Sequence, residues 1–157
     1  MHGDSSNALV VVLILCVTIH GAPVSGHIEP LIQGNFEAAG LSEAQVRSFL
    51  EALQAAVRRG DAAAVSALVS FPLSVNRKSG QGWVRTKAQF VKQFSSIFDS
   101  ALRKEILSLR AEELFGSSHG VETGSGSLFF SRVCDPDEIP RCTRMRVMVV
   151  AIHLQDR

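Results

Sequence analysis

Apolar residues first recur at helical spacing between positions 46 and 57, where Val46, Phe49, Leu50, Leu53 and Val57 fall three or four apart and so share one face. Just before them, Ser42-Glu43-Ala44-Gln45 has the capping-box pattern: the serine hydroxyl can accept the Gln45 N–H while the glutamine side chain reaches back. Gly60 stops this helix, Asp61 caps a short second one across residues 62–69, and Pro72 is expected to end it. The period then changes to two. Phe71 to Asn76 reads as a strand, residues 77–82 as a turn and Trp83 to Thr86 as the returning strand of a hairpin. A second capping box, Thr86-Lys87-Ala88-Gln89, opens a helix whose Phe90, Phe94, Ile97 and Phe98 form a core stripe. Asp99 caps the next helix through Leu102, Ile106 and Leu109, and residues 112–115 read as irregular chain. The last third is β: residues 120–133 mix glycine turns or bulges with a strand, and residues 143–155 form a long strand. Its second half is apolar on both faces, the mark of a central strand.

Residues 1–26 follow another pattern. The run from Ala8 to Ile19 is apolar over 12 residues, short of the roughly 20 that a membrane-spanning helix needs. Small residues follow at Val24-Ser25-Gly26, the layout of an export signal cleaved before His27, although the opening MHGDSSN lacks the usual basic residue. The chain is thus expected to comprise a signal peptide over 1–26, a linker over 27–40 containing Pro30, Gly34 and Gly40, and one domain over 41–157. It is expected to be secreted or periplasmic, with no stable membrane anchor after processing.

Export changes the reading of the cysteines. Removal of the leader takes Cys16 with it and leaves Cys134 and Cys142, on either side of the acidic, proline-broken stretch DPDEIPR, in an oxidising compartment. A disulfide closing the long turn between the last two strands is expected, and no metal site, since close pairs such as CxxC are missing.

Charge narrows the partners. There are 16 basic and 15 acidic residues, and because the leader carries one acid and no base, the net charge moves only from +1 to +2 on processing. The pairs Arg58-Arg59, Arg77-Lys78 and Arg103-Lys104 sit at helix ends or in a turn, where they cap dipoles or face water, so nucleic acid is not an expected partner.

The order helix, short helix after a Gly-Asp step, hairpin, helical pair and long antiparallel strands resembles the nuclear transport factor 2-like superfamily. So do several stretches: Arg58-Arg59-Gly60-Asp61, Phe71-Pro-Leu-Ser-Val-Asn76, Lys87-Ala-Gln-Phe90 with Ile97-Phe98, Glu113-Leu-Phe115, Gly120, Gly124 to Phe130, and Arg146 to Ile152. They are similar to exported members of uncharacterised role, over roughly residues 41–154. The resemblance implies an α+β, cystatin-like cone, with N-terminal helices packed on a curved antiparallel sheet. That superfamily holds isomerases, dehydratases, hydrolases and cyclases that use the cavity of the cone, together with many binding and dimerisation modules.

Catalytic chemistry finds little support in this chain. There is no tyrosine, which removes the phenol that isomerases of the group use. Most acids fall at solvent-side helix positions, at caps or in the cysteine loop, leaving Glu122 as the one carboxylate on chain that would face a cavity. His119 lies in a loop and is expected at the surface; His153, near the end of the last strand, is expected to be partly buried. Ser131 and Cys134 have no base nearby in sequence, and Gly124-Ser125-Gly126 precedes no helix, so neither a nucleophile nor a phosphate loop emerges. No cofactor is expected.

Binding is better supported. Trp83, Arg85, Phe129 and Arg146 would lie on strands bordering the concave side or open end of the sheet, where an arginine against an apolar surface holds a carboxylate or pairs with a structural acid such as Glu122. The expected function is an exported small-molecule-binding or protein-interaction module, with a lyase, isomerase or hydrolase as the alternative. The expected partner is a small apolar or carboxylate ligand or another protein, including a second copy joined through the sheet.

Overall fold

The computed structural model describes residues 32–135 and 140–154. The expected signal peptide, its cleavage site and residues 136–139 of the cysteine loop lie outside them. The first element is a two-residue strand, β1 (Ile32–Gln33), followed by α1 (Glu43–Arg59) and a short α2 (Ala62–Ser66). Next come the hairpin β2 (Val69–Arg77) and β3 (Gly80–Val84), then α3 (Lys87–Ile97), α4 (Ser100–Ser108) and a single 3-10 turn, Ala111–Glu113. Four strands complete the fold: β4 (Phe115–Ser117), β5 (Gly120–Glu122), β6 (Leu128–Cys134) and β7 (Met145–Leu154).

The caps read from sequence form. Ser42 and Gln45 exchange both hydrogen bonds of a capping box, Asp61, Thr86 and Asp99 each accept an N–H three residues on, and Gly60 closes α1 in the left-handed conformation at φ 65°. Gln89 departs slightly from the box, accepting the N–H of Arg85 one residue before the cap.

The seven strands make one mixed sheet in the order β1-β4-β5-β6-β7-β2-β3. All neighbours are antiparallel except β2 and β7, which run parallel. The last strand is thus central, as its two apolar faces predict, with β6 on one side and β2 on the other.

Of the boundaries that differ from expectation, such as the hairpin turn, which closes between Arg77 and Gly80 rather than over 77–82, and residues 112–115, which hold part of a 3-10 turn and the start of β4, two more have identifiable reasons. Helix α2 ends at Ser66, and Pro72, expected to terminate it, lies inside β2. The pairing of β2 with β7 jumps from Val69–Val149 to Ser74–Ala151, so the missing N–H of Pro72 falls in a bulge where no ladder bond is needed. Residues 32–40, read as the end of a linker, supply β1 and bury Phe36, which joins the core. Their close approach to β4 requires Gly116, since a Cβ there would collide with the carbonyl oxygen of Asn35.

The core lies between the helices and one face of the sheet. Phe49, Leu50 and Leu53 of α1, Phe90, Phe94 and Ile97 of α3, and Leu102 and Ile106 of α4 meet Leu73, Val75, Val121, Leu128, Phe130, Val149 and Ile152 of the strands. The rings form a continuous cluster: Phe90 contacts Phe71, Phe94 and Phe98 with centroids 5.8–5.9 Å apart, and Phe49 lies 4.8 Å from Phe130.

Candidate binding face

Strand alternation fixes which side chains occupy the other face of the sheet. Residues paired across neighbouring strands point to the same side, and those flanked by core positions point away from the helices. Ser74 lies between the core residues Leu73 and Val75, and Phe129 between Leu128 and Phe130. The registers then trace one row across six strands: Trp83 opposite Ser74, Ser74 opposite Ala151, Ala151 opposite Phe129, Phe129 opposite Glu122, and Glu122 opposite Phe115. The row keeps its alignment because β7 carries an extra residue, Val150, between Val149 and Ala151.

The structure therefore brings Trp83 and Phe129 onto one surface, facing away from the helices rather than toward the core. Trp83 is 49% exposed on the edge strand, while Phe129 and Phe115 are half-buried. Ser74 is buried beneath, its hydroxyl accepting a hydrogen bond from Gln81 at 3.1 Å. Glu122, expected to look into a cavity, stands in this outer row between two phenylalanines.

Arg85 and Arg146 are not brought to the row's centre. Arg85 is exposed just beyond β3, where its backbone serves the start of α3. Arg146, opposite Val133, stands at the far end of the outer face with its guanidinium 4.0 Å from a carboxylate oxygen of Asp135. Arg144 donates to the other oxygen at 2.9 Å. The acid facing Arg146 is thus Asp135, buried to 3% exposure, and not Glu122. Sequence distance concealed this, because Asp135 reads as part of a solvated loop until the β6–β7 register returns Arg144 beside it: the Asp135 N–H donates to the Arg144 carbonyl. Cys134 and Cys142 are joined by a disulfide at this same end, with Cα atoms 5.2 Å apart.

The histidines remain peripheral. His119 is exposed in the β4–β5 turn; His153, expected to be partly buried, is exposed because it falls on the outer side of β7 opposite Asn76. A polar cluster that sequence reading missed ties α4 to the β5–β6 turn: the Glu105 carboxylate accepts hydrogen bonds from the hydroxyls of Ser125 and Ser127, and Thr123 lies beside Ser127 at 3.3 Å. Its signal was the spacing of hydroxyls in Thr123-Gly-Ser-Gly-Ser127, legible only once the turn folds back. On the helical side, an open depression of about 750 Å³ runs along α4 over Phe98, Asp99, Arg103, Lys104 and Leu107. Arg103 is held there, donating to the Phe98 carbonyl at 2.6 Å with its guanidinium 5.0 Å from the Phe94 ring centre.

Among the described residues no group of three or more His, Cys, Asp or Glu side chains gathers as a metal site, and no helix is long and apolar enough to cross a membrane. No family model, curated protein or solved structure matches the chain.

Proposed function

We propose that the chain is an exported interaction module of the nuclear transport factor 2-like type, with helices and curved sheet forming a cystatin-like cone and the outer sheet face as its binding surface. The element order that carries the resemblance is the order in which the described elements occur, which supports the cone. One observation carries the binding reading: Trp83, Ala151, Phe129 and Phe115 are aligned in a single row on the face turned away from the described helices. Large aromatic groups partly open to water are the residues that anchor protein interfaces. On the opposite face Phe49, Phe90, Phe94, Phe98 and Phe130 are packed into the hydrophobic core, whereas Trp83, Phe129 and Phe115 of the outer row are partly exposed.

A second copy of the chain fits the row. A two-fold axis through its middle sets Trp83 of one copy over Phe115 of the other and Ala151 over Phe129, so apolar groups meet. Sedimentation velocity over a concentration series tests this directly. The wild-type chain should sediment faster as concentration rises, and Trp83→Ser with Phe129→Ser should abolish the change while retaining the circular dichroism spectrum. A wild-type chain that stays monomeric throughout would overturn self-association through this face.

A further inference from the structure

Three sulfurs converge where β6 and β7 begin to separate. Cys134 is paired across the ladder with Met145, Cys142 is bonded to Cys134, and the Met145 thioether lies 3.4 Å from the Cys142 sulfur. Met145 is 44% exposed and Cys142 is exposed as well, so the cluster is open to small solutes. The ladder pairing places this exposed methionine beside the disulfide, and its sulfur adds a third soft donor to the two held by the bond. Cys142 also has φ +48°, in the left-handed region that a non-glycine residue occupies at a cost, and an exposed disulfide with such a backbone is of the reducible kind.

We propose that the reduced form of this hairpin end is a three-sulfur site for Cu(I), built from the thiolates of Cys134 and Cys142 and the thioether of Met145. The chemistry is balanced by a dithiol reductant. One of its thiolates attacks the exposed Cys142 sulfur, forming a mixed disulfide, and the electron pair of the protein bond leaves with the Cys134 sulfur. The second thiol of the reductant then closes on the first, is released as a disulfide, and frees Cys142. Each cysteine loses its proton on binding the ion, so one Cu(I) displaces two protons. Thiolate and thioether donors select Cu(I) over harder cations, and the ladder pairing of Cys134 with Met145 holds two donors in place before metal arrives. The site is independent of the outer-face reading, since Cys134 and Met145 alternate with Val133 and Arg146 and fall on the other side of the strands.

The test is an anaerobic titration of the chain, reduced with dithiothreitol and then freed of it, with Cu(I) held by the chromophoric chelator bicinchoninate. The reduced chain should withdraw one equivalent of Cu(I), and X-ray absorption should show a shell of sulfur alone. The oxidised chain, identical in sequence, should withdraw none. Met145→Leu, which keeps volume at an exposed position, should measurably weaken binding and lower the sulfur count, while Met148→Leu, a buried methionine away from the cluster, should leave affinity unchanged. Failure of the reduced chain to compete with the chelator would overturn the site, and so would equal affinity in Met145→Leu.

Discussion

The two faces of the sheet carry similar side chains in different circumstances. Phe130 and Phe129 are neighbours on β6, yet Phe130 is fully buried against Phe49 of α1 while Phe129 is half-exposed in the outer row. Nothing in their chemistry separates them. What differs is the side of the pleat and the presence of α1 on one side only, so a large apolar group contributes to stability on the inner face and to recognition on the outer one.

The largest expected effect breaks the inner face. Phe90 makes ring contacts with Phe71, Phe94 and Phe98 at 0% exposure; Phe90→Ala should cost about 3–5 kcal/mol in urea denaturation. Phe129→Ala should cost well under half of that, because the ring already meets water. Equal losses would mean that the outer row is structural.

Next comes the disulfide, which restrains the hairpin end rather than either face. Replacing Cys134 and Cys142 with serine should lower stability by about 2.5 kcal/mol by loss of the cross-link's restraint on the unfolded chain, with the far-ultraviolet circular dichroism of the native fold retained at 25 °C. A chain unfolded without the bond would show that the inner face alone does not sustain the fold.

Smaller still is the cap of α4, whose docking completes the inner face. Asp99 accepts the Leu102 N–H at 2.8 Å, and Asp99→Ala should cost about 1 kcal/mol in thermal or urea unfolding. Trp83→Ser, by contrast, should leave unfolding nearly unchanged while altering sedimentation, which separates the roles of the two faces.

The smallest effect concerns exposed charge. The Glu112 carboxyl lies below its ordinary value, first through a hydrogen bond with its own backbone and then through Arg47, which also bonds Glu43 and so links α1 to the 3-10 turn. Because the folded form holds its proton less tightly than the unfolded chain, this contribution is present above the ordinary glutamate value. It is lost as pH falls from that value through the depressed one. Glu112→Gln should flatten the melting temperature against pH slightly in that acidic window, and an unchanged slope would show that the Arg47 bridge contributes nothing measurable.

Much of the fold was legible in the sequence because its signals are local. Four caps, Ser42, Asp61, Thr86 and Asp99, act within three residues, and the stripes of α1 and α3 repeat within two turns. The cysteine pair was legible because, once the apolar run around Cys16 was read apart from the domain, two cysteines eight residues apart were left. The candidate site was half legible: Trp83 and Phe129 stood out as residues, but their sharing a row depends on β2 lying parallel beside β7 and on Val150 bulging from the ladder, both long-range events. Asp135 was misplaced for the same reason, since its partners Arg144 and Arg146 return only with the next strand.

The sequence by itself determined where the helices start, which strand is central and which cysteines meet, because hydrogen bonds at helix N-termini and burial periodicity act over a few residues. Tertiary structure alone decided that β7 separates β6 from β2, that residues 32–40 join the sheet, and that Phe129 faces outward while Glu105 anchors a distant turn. These depend on strand register, and register is set by the collective burial of one whole face: a slip of a single residue would exchange the inner and outer sets.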